Sequence, residues 1–278
     1  MFTLSAFSDE ISPDPQEQVA VLRKCGVRHI EFRSILKTNV LALSDHQVGE
    51  FQALLSGNDF ELSAIGSPLG KIRIDEPFAP HLDKLDRAIE LAKRFGTPNI
   101  RVFSFYPAGG ATETDWTKHR AEVLKRLGAM VERAETASVR LLHENEHRIY
   151  GDSPERVSDL LRQIQSPSFA AVYDPANYVF SGYDPISGWQ ATKDRTVHFH
   201  IKDWVEGEEH GRVAGEGQGR IAEVLTDAVQ RGYDGFATLE PHLLGGGPAG
   251  GVTGPDLFPT AVEALRTIFR QVGAQEAA

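Results

Sequence analysis

The strongest constraint on the fold of this sequence is a regular alternation of short apolar segments with longer amphipathic segments. Eight segments have the length and apolar pattern of buried strands: residues 3–8, 28–33, 59–66, 99–103, 139–144, 169–174, 196–202 and 235–240. Each is followed by a segment with helical periodicity: residues 15–25, 44–56, 79–95, 115–137, 153–165, 185–191, 221–231 and 255–272. Strands that alternate with helices in this way form parallel sheets.

Eight such units within 278 residues favour a closed barrel over an open sheet. We therefore predict an α/β protein that consists of a single (β/α)8 TIM barrel domain over residues 1–278. The rival nucleotide-binding fold is disfavoured because no Gly-x-Gly-x-x-Gly follows the first predicted strand. The glycine-rich segment GEGQGR at residues 215–220 lies far from that strand and lacks a Walker Lys-Ser/Thr pair.

Composition narrows the class of partner. The formal net charge of −10 disfavours nucleic acid, because phosphate backbones are bound through basic surfaces. It leaves room for a small anionic substrate held by local cations. We find no apolar run long enough to span a bilayer and no secretory pattern at the start of the sequence. Because the sequence has a single cysteine, it cannot form an internal disulfide, and a reducing compartment is the simplest assumption. We therefore expect a cytoplasmic protein without a membrane or nucleic-acid partner.

Four predicted strands end in side chains that commonly bind metals. Glu144 ends the fifth strand and Asp174 ends the sixth. His200 lies near the end of the seventh, and Glu240 ends the eighth. The carboxyl ends of barrel strands meet at one rim, so these side chains are expected to converge. Taken singly, Asp174 before Pro175 is also typical of a turn, and His200 of a core histidine. Together, carboxylates and one imidazole suit Mn²⁺, Mg²⁺ or Co²⁺ and accept Zn²⁺.

The four residues occur in short motifs: HEN at 143–145, YDPAN at 173–177, HFHIKD at 198–203 and LEPH at 239–242. In this order the motifs resemble those of the xylose isomerase-like barrels. That group includes sugar phosphate isomerases, ketose 3-epimerases, hydroxypyruvate isomerase, inosose dehydratase and AP endonucleases. The resemblance extends from SDEIS at residues 8–12 to the last predicted helix. It implies one divalent metal ion, Mn²⁺ in the first instance and otherwise Mg²⁺, Co²⁺ or Zn²⁺, bound by Glu144, Asp174, His200 and Glu240.

The resemblance also implies a catalytic role for two of these ligands. In epimerase-like members, two glutamates act as acid and base on opposite faces of the sugar, which here assigns Glu144 and Glu240. A metal that bridges a carbonyl and an adjacent hydroxyl stabilises an enediolate, while carboxylates remove and return the proton. His147 is a further candidate acid or base, and an exposed loop histidine is the alternative interpretation.

One position departs from the better-known members of the group. The epimerases carry a histidine three residues after the ligand aspartate, where this chain has Asn177, which forms hydrogen bonds but does not titrate. AP endonucleases need that histidine for additional zinc ions, so DNA repair is not predicted. His143 alternates with Glu144 along the strand and is therefore expected to point away from the metal.

Further residues at strand ends are candidates for substrate contacts. They are Glu31, Ser67, Lys71, Trp116, Asn177 and Lys202. Lys71 in GSPLGK is the strongest candidate for a phosphate or hydroxyl contact. For Lys202 the alternative is a structural ion pair, which is the commoner role of such charges. For Trp116 the alternative is a packing contact.

These assignments predict a metal-dependent isomerase or epimerase that acts on a small sugar or sugar phosphate. The alternative within enzymes is a lyase, a dehydratase or deglycosidase that eliminates a β-substituent from a 3-oxo-sugar or 3-oxo-glycoside. A barrel that has lost its metal and only senses sugars, or serves as a scaffold, is the non-enzymatic alternative. The intact ligand types on four strands disfavour this non-enzymatic alternative. Members of the group often form dimers or tetramers, so a homodimer or homotetramer is expected.

Overall fold

Eight parallel strands close into a barrel in the computed structural model, which describes residues 1–109, 116–247 and 250–277. The strands are β1 (Phe2–Ala6), β2 (His29–Phe32), β3 (Glu61–Leu69), β4 (Asn99–Val102), β5 (Arg140–Glu144), β6 (Phe169–Tyr173), β7 (Thr196–Ile201) and β8 (Gly235–Leu239). Each strand pairs with the next in the chain, and β8 pairs with β1. The predicted (β/α)8 TIM barrel is confirmed.

The helices surround this barrel. They are α1 (Pro15–Lys24), α2 (Asp45–Ser56), α3 (Ala79–Phe95), α4 (Arg120–Ala137), α5 (Pro154–Gln163), α6 (Pro175–Phe180), α7 (Pro185–Thr192), α8 (Ile221–Gln230) and α9 (Phe258–Val272). The predicted start of α4 at Asp115 lies outside the described residues. Within the described ranges, the helices lack the combination of length and apolarity that a bilayer span needs.

Short elements decorate the loops between strands and helices. Turns of 3₁₀ helix lie at Ser8–Glu10, Val40–Ala42, Trp116–Lys118 and Tyr150–Asp152. Two small antiparallel hairpins follow β2 and β8, pairing Ser34–Ile35 with Thr38–Asn39 and Gly246–Gly247 with Gly250–Gly251. Both hairpins come after the carboxyl end of a barrel strand, the rim at which sites form in this fold.

Helix α6 was not predicted, because its six residues are too few to show helical periodicity in the sequence. Its start is explained by the residue that precedes it. The Asp174 carboxylate accepts a hydrogen bond from the Asn177 backbone N–H at 2.9 Å, which caps the helix, and Pro175 occupies the first helical position. The single turn-and-a-half of helix therefore begins directly at a candidate metal ligand.

The interior of the barrel contains many polar side chains beside a small apolar cluster of Leu142, Ala170 and Val172, whereas the layer between strands and helices is apolar. On β7, the ring of Phe199 points to the outer layer, where it packs against Trp189 of α7 and Tyr173 of β6. The distances between ring centroids are 5.4 and 5.8 Å. The alternate residues His198 and His200 face inward and are buried. This alternation brings imidazole and carboxylate groups into the centre of the barrel, where each needs a partner.

The loop after β3 depends on a close approach to the next strand. Gly70 has φ +93°, and a Cβ there would clash with the backbone carbonyl of Phe103. Its N–H donates a hydrogen bond of 2.8 Å to Nε2 of the buried His81 on α3. Burial is the main reason why the pKa of His81 is lowered to about 4. A neutral imidazole therefore fixes the backbone that leads to Lys71.

We expect the His81 contact to make stability pH-dependent. The imidazole titrates near its ordinary pKa of about 6.5 when unfolded but near 4 when folded, so its contribution is complete above about pH 6.5 and is lost as the pH falls towards 4. His81→Gln keeps an acceptor that does not titrate. Thermal unfolding followed by circular dichroism should show a smaller loss of Tm between pH 7 and pH 4 in this variant than in the wild type. Parallel curves would contradict the assignment.

Candidate metal centre and active site

The structure brings the four predicted ligands together at the carboxyl ends of adjacent strands. Glu144 ends β5, Asp174 follows β6, His200 lies on β7 and Glu240 follows β8. One ligand atom from each lies within 4.8 Å of every other, and all four side chains are buried. Such a spacing allows three carboxylates and one imidazole to share a single divalent cation.

His200 is oriented by a residue on the other side of its ring. Its Nδ1 lies 3.1 Å from Glu144 Oε1 and 3.5 Å from Glu240 Oε2, so this nitrogen faces the cluster. Its Nε2 lies 3.0 Å from Oε2 of Glu31. Glu31 also lies 3.1 Å from His198 Nε2 and does not line the cavity described below. Glu31, a predicted substrate contact, thus lies behind the ring of His200, the position that acidic groups behind metal-binding histidines commonly occupy.

Unsatisfied polar atoms show that the cluster suits a cation. Among the described residues, His200 Nδ1 and Asp174 Oδ2 are buried without a hydrogen bond of acceptable geometry. The ammonium of Lys202 lies 2.7 Å from Asp174 Oδ2 and 3.4 Å from Glu240 Oε2. A buried polar atom without a hydrogen bond costs roughly 1–3 kcal/mol. A divalent ion here would bind His200 Nδ1 and share Asp174 Oδ2 with the ammonium of Lys202.

Two arginines hold the two glutamates. Arg33 donates a 2.9 Å hydrogen bond to Glu240 Oε1, and Arg101 donates a 3.2 Å bond to Glu144 Oε2. The ring of Phe7 lies beside both guanidinium groups, 4.3 Å from Arg33 and 4.9 Å from Arg101. Each glutamate is thereby fixed through one oxygen while the other oxygen faces the imidazole of the cluster.

The ionisation of the cluster reflects this mixture of charges. Burial lowers the pKa of His200, but the carboxylates of Glu144 and Glu31 outweigh it and raise that pKa to about 10. Burial raises the pKa of Asp174 to about 6, against the attraction of the Lys202 ammonium. Opposite charges therefore stabilise one another within the cluster even though each is removed from water.

Glu240 is stabilised in its ionised form by three neighbouring groups. Burial alone would raise its pKa, but the ammonium of Lys202 and the imidazoles of His242 and His200 hold the pKa well below its usual range. His242 Nε2 lies 3.3 Å from Glu240 Oε1 and 3.1 Å from Glu10 Oε1. Glu240 is thus ionised at neutral pH, which is the state that binds a metal or accepts a proton.

A cavity of about 1270 Å³ opens onto this cluster. Its wall includes five of the predicted site residues: Glu144, Glu240, Lys71, Asn177 and Lys202. His147, the sixth, lines it too, and its Nδ1 lies 3.1 Å from Ser181 Oγ. Lys71 forms an ion pair of 2.8 Å with Glu146 and stacks 4.4 Å from the ring centre of Phe103.

Asn177 lies at the floor of the cavity with its amide already engaged. Its Nδ2 donates to Glu144 Oε1 at 3.1 Å and to the backbone carbonyl of Asn145 at 2.9 Å. The side chain of Asn145 in turn forms two hydrogen bonds with the backbone of Asp174: its Nδ2 donates to the carbonyl, and its Oδ1 accepts from the N–H. Asn177 therefore helps to position Glu144.

Two predicted substrate contacts lie elsewhere. Ser67 is fully buried and donates a 2.5 Å hydrogen bond to the backbone carbonyl of Arg101. Because β3 continues to Leu69, Ser67 lies inside a strand rather than after its end. Trp116 packs edge-to-face against Tyr150 at 6.0 Å and does not line the cavity. Neither side chain lies on the wall of the cavity.

Sequence reasoning missed several residues of the cavity wall. They are Arg101, Phe180 and His242 in particular. The LEPH motif contained a signal for His242, because it lies two residues after a candidate ligand at a strand end. Arg101 lies within β4, where a charged side chain in an otherwise apolar strand indicates an inward-facing partner for a buried acid.

The loop beside the cavity is held by one buried carboxylate. Asp203 accepts hydrogen bonds from the backbone N–H groups of Gly215 at 2.8 Å, Gly217 at 3.0 Å and Gly219 at 2.8 Å. A Cβ on Gly217 or Gly219 would clash with that carboxylate. The glycines of GEGQGR therefore wrap an acidic side chain of the chain itself, next to Trp204, rather than a phosphate.

The sequence matches the profile of a protein family over residues 19–268, and the description of that family is xylose isomerase-like TIM barrel. The chain belongs to this family. A comparison with curated proteins finds no match.

Solved xylose isomerase-like structures align over nearly the whole chain. A D-tagatose 3-epimerase-like protein matches with a TM-score of 0.78 and 15% identity, over 98% of each chain. The probable 3-DHS dehydratase AsbF from Bacillus anthracis matches with a TM-score of 0.71 and 20% identity, over 95% of this chain and 98% of that one. A xylose isomerase-like TIM barrel protein from Mycobacterium smegmatis, in complex with magnesium, has a TM-score of 0.74 and 16% identity, over 98% and 96%.

One further match is to a longer protein. A fusion of a xylose isomerase-like TIM barrel with 4-hydroxyphenylpyruvate dioxygenase aligns with a TM-score of 0.75 and 18% identity. The alignment covers 98% of this chain but 43% of the fusion protein. At these identities the likenesses establish the fold alone.

We expect Asp203→Ala to loosen the glycine loop, because three backbone N–H groups lose their acceptor. Hydrogen–deuterium exchange should accelerate over residues 211–220 and remain unchanged in the barrel strands. Asp234→Ala, at an exposed position, is the matched control. Equal exchange of this loop in the two variants would show that the carboxylate does not hold it.

Proposed function

We propose that the protein is a divalent-metal-dependent isomerase or epimerase of a small sugar or sugar phosphate. The observation that carries this proposal is the convergence of Glu144, Asp174, His200 and Glu240 within 4.8 Å at the base of a large cavity. Mn²⁺ is the proposed ion, with Mg²⁺, Co²⁺ and Zn²⁺ as substitutes. The magnesium complex of a structural relative supports a divalent ion in a barrel of this kind.

The residues of the chain have separate roles in the proposed reaction. When bound, the cation would polarise a carbonyl and its neighbouring hydroxyl and so stabilise an enediolate. Glu144 and Glu240 remove and return the proton at the substrate carbon, each held in place by an arginine. Lys202 neutralises charge beside Asp174 and Glu240, and Lys71 contacts a hydroxyl or phosphate.

A β-eliminating lyase that acts on a 3-oxo-sugar or 3-oxo-glycoside is the second candidate, and His147 is the observation that favours it. The imidazole lines the cavity and its Nδ1 is engaged by Ser181, which leaves Nε2 as the nitrogen available to a leaving group. The imidazole of His147 could donate the proton that a departing water or alcohol needs.

We further propose that the protein is a cytoplasmic homodimer or homotetramer without nucleic-acid or membrane partners. Light scattering after gel filtration would test the oligomeric state.

Metal content provides the first test. We expect the purified protein to hold about one divalent ion per chain, and His200→Asn and Asp174→Asn to lose most of it because each removes a ligand. His46→Asn, at an exposed site on α2, is the control. Metal analysis by mass spectrometry, together with the rise in Tm on adding MnCl₂, gives a readout independent of turnover. Full metal retention in both variants would remove these residues from the centre.

Catalysis by the glutamates provides the second test. Glu240→Gln keeps the shape but not the base, so we expect turnover to fall about 10²–10⁴-fold with the fold intact. Free ketoses and 3-oxo-glycosides should be assayed side by side, with products identified by NMR in D₂O. Deuterium incorporation with isomerised sugar supports the isomerase, whereas a released aglycone or unsaturated sugar supports the lyase. Glu223→Gln, at an exposed position, is the control. If Glu240→Gln turned over substrate at nearly the rate of this control, Glu240 would be excluded from proton transfer.

A further inference from the structure

The cavity is much larger than a monosaccharide requires. Its volume of about 1270 Å³ exceeds the roughly 300–1,000 Å³ that suffices for drug-sized ligands. Charged side chains line both its base, where Glu144, Glu240 and Lys202 lie, and other parts of its wall, where the exposed Lys37, Arg73, Arg148 and Glu209 lie. A sugar bound at that base would therefore leave the outer part of the cavity unfilled.

The outer part carries an aromatic side chain that is open to solvent. Phe180 is 52% exposed and ends α6, the short helix that begins at the ligand Asp174. Its ring stands edge-on to His147, with centroids 4.8 Å apart, and edge-on to Trp204, with centroids 5.6 Å apart. These contacts fix the ring while leaving it exposed towards the cavity.

Phe180 differs from the other exposed apolar side chains of the described residues. The large exposed apolar residues there are Met1, Leu36, Phe180, Leu244, Val252 and Leu257. Of these, Phe180 alone lines the cavity. Pro68, Tyr106 and Pro107 also contribute to the wall, so the apolar surface is not limited to one ring.

We propose that this outer subsite, formed by Phe180, Trp204, Tyr106, Pro68 and Pro107, binds a flat apolar aglycone joined to the sugar. The substrate is then an aryl glycoside, which narrows the proposed sugar substrates to those that carry an aromatic aglycone. Aromatic rings recognise such groups through stacked or edge-to-face contacts, which add to the gain from burying apolar surface. This inference rests on the proposed function, since it assumes that the sugar occupies the base of the cavity.

Matched glycosides test the subsite without requiring turnover. The Mn²⁺-loaded protein is titrated calorimetrically with phenyl and methyl β-D-glucopyranoside, and with the corresponding galactosides. We expect at least one phenyl glycoside to bind about five- to tenfold more tightly than its methyl partner. Phe180→Ala should abolish that preference and leave the affinity for the methyl glycoside unchanged. Leu244→Ala, an exposed apolar position that does not line the cavity, is the control.

Three outcomes would overturn the inference. Equal affinities of phenyl and methyl glycosides, or no binding of either, show that the outer cavity does not select an aglycone. A change in oligomeric state in Phe180→Ala, with selectivity unaltered, assigns the ring to contact between copies of the chain. Failure of the proposed function has a different signature, because metal content and turnover would be lost while the preference for phenyl glycosides persists.

Discussion

The structure depends on the pairing of buried charges inside the barrel. Placing a carboxylate away from water costs several kcal/mol unless cations and hydrogen bonds surround it. Here Glu144 is matched by Arg101, Glu240 by Arg33, and Asp174 by Lys202. Each pair joins different strands or strand ends, so the charges are compensated only when the barrel is closed. The same closure that completes the hydrogen-bonded sheet also completes the candidate metal centre.

This arrangement separates the cavity into two chemical environments. The base contains ionised groups whose positions are fixed by partners behind them, such as Glu31 behind His200 and Arg101 behind Glu144. The outer wall includes aromatic and proline side chains, which offer apolar surface, beside exposed charged groups such as Arg73 and Glu209. A fixed, charged base suits proton transfer next to a carbonyl, because little reorganisation is needed when charge develops. The outer wall can change specificity without disturbing that chemistry, which is a recurring property of barrel loops.

Much of the fold and part of the candidate site could be predicted from the sequence. Strand periodicity placed the inward-facing His200 correctly, because Phe199 and Ile201 on either side belong to the apolar layer. Helix α6 was missed because a helix of six residues has too few turns to show periodicity. Ser67 was misplaced because β3 continues past the predicted end at a register irregularity between Ile65 and Leu69. Such irregularities depend on the neighbouring strand and leave no local pattern.

The sequence by itself determined the alternation of eight strands with helices and the ligand types at four strand ends, because both follow from periodicity and residue chemistry along the chain. Only the tertiary structure decided which polar side chains face the cavity and which stand behind it. Glu31 lies behind His200 next to a register shift between Ile30 and Glu31, and Arg101 reaches Glu144 from the neighbouring strand. Distances between side chains from different strands are set by barrel closure and shear, which no single segment of sequence contains.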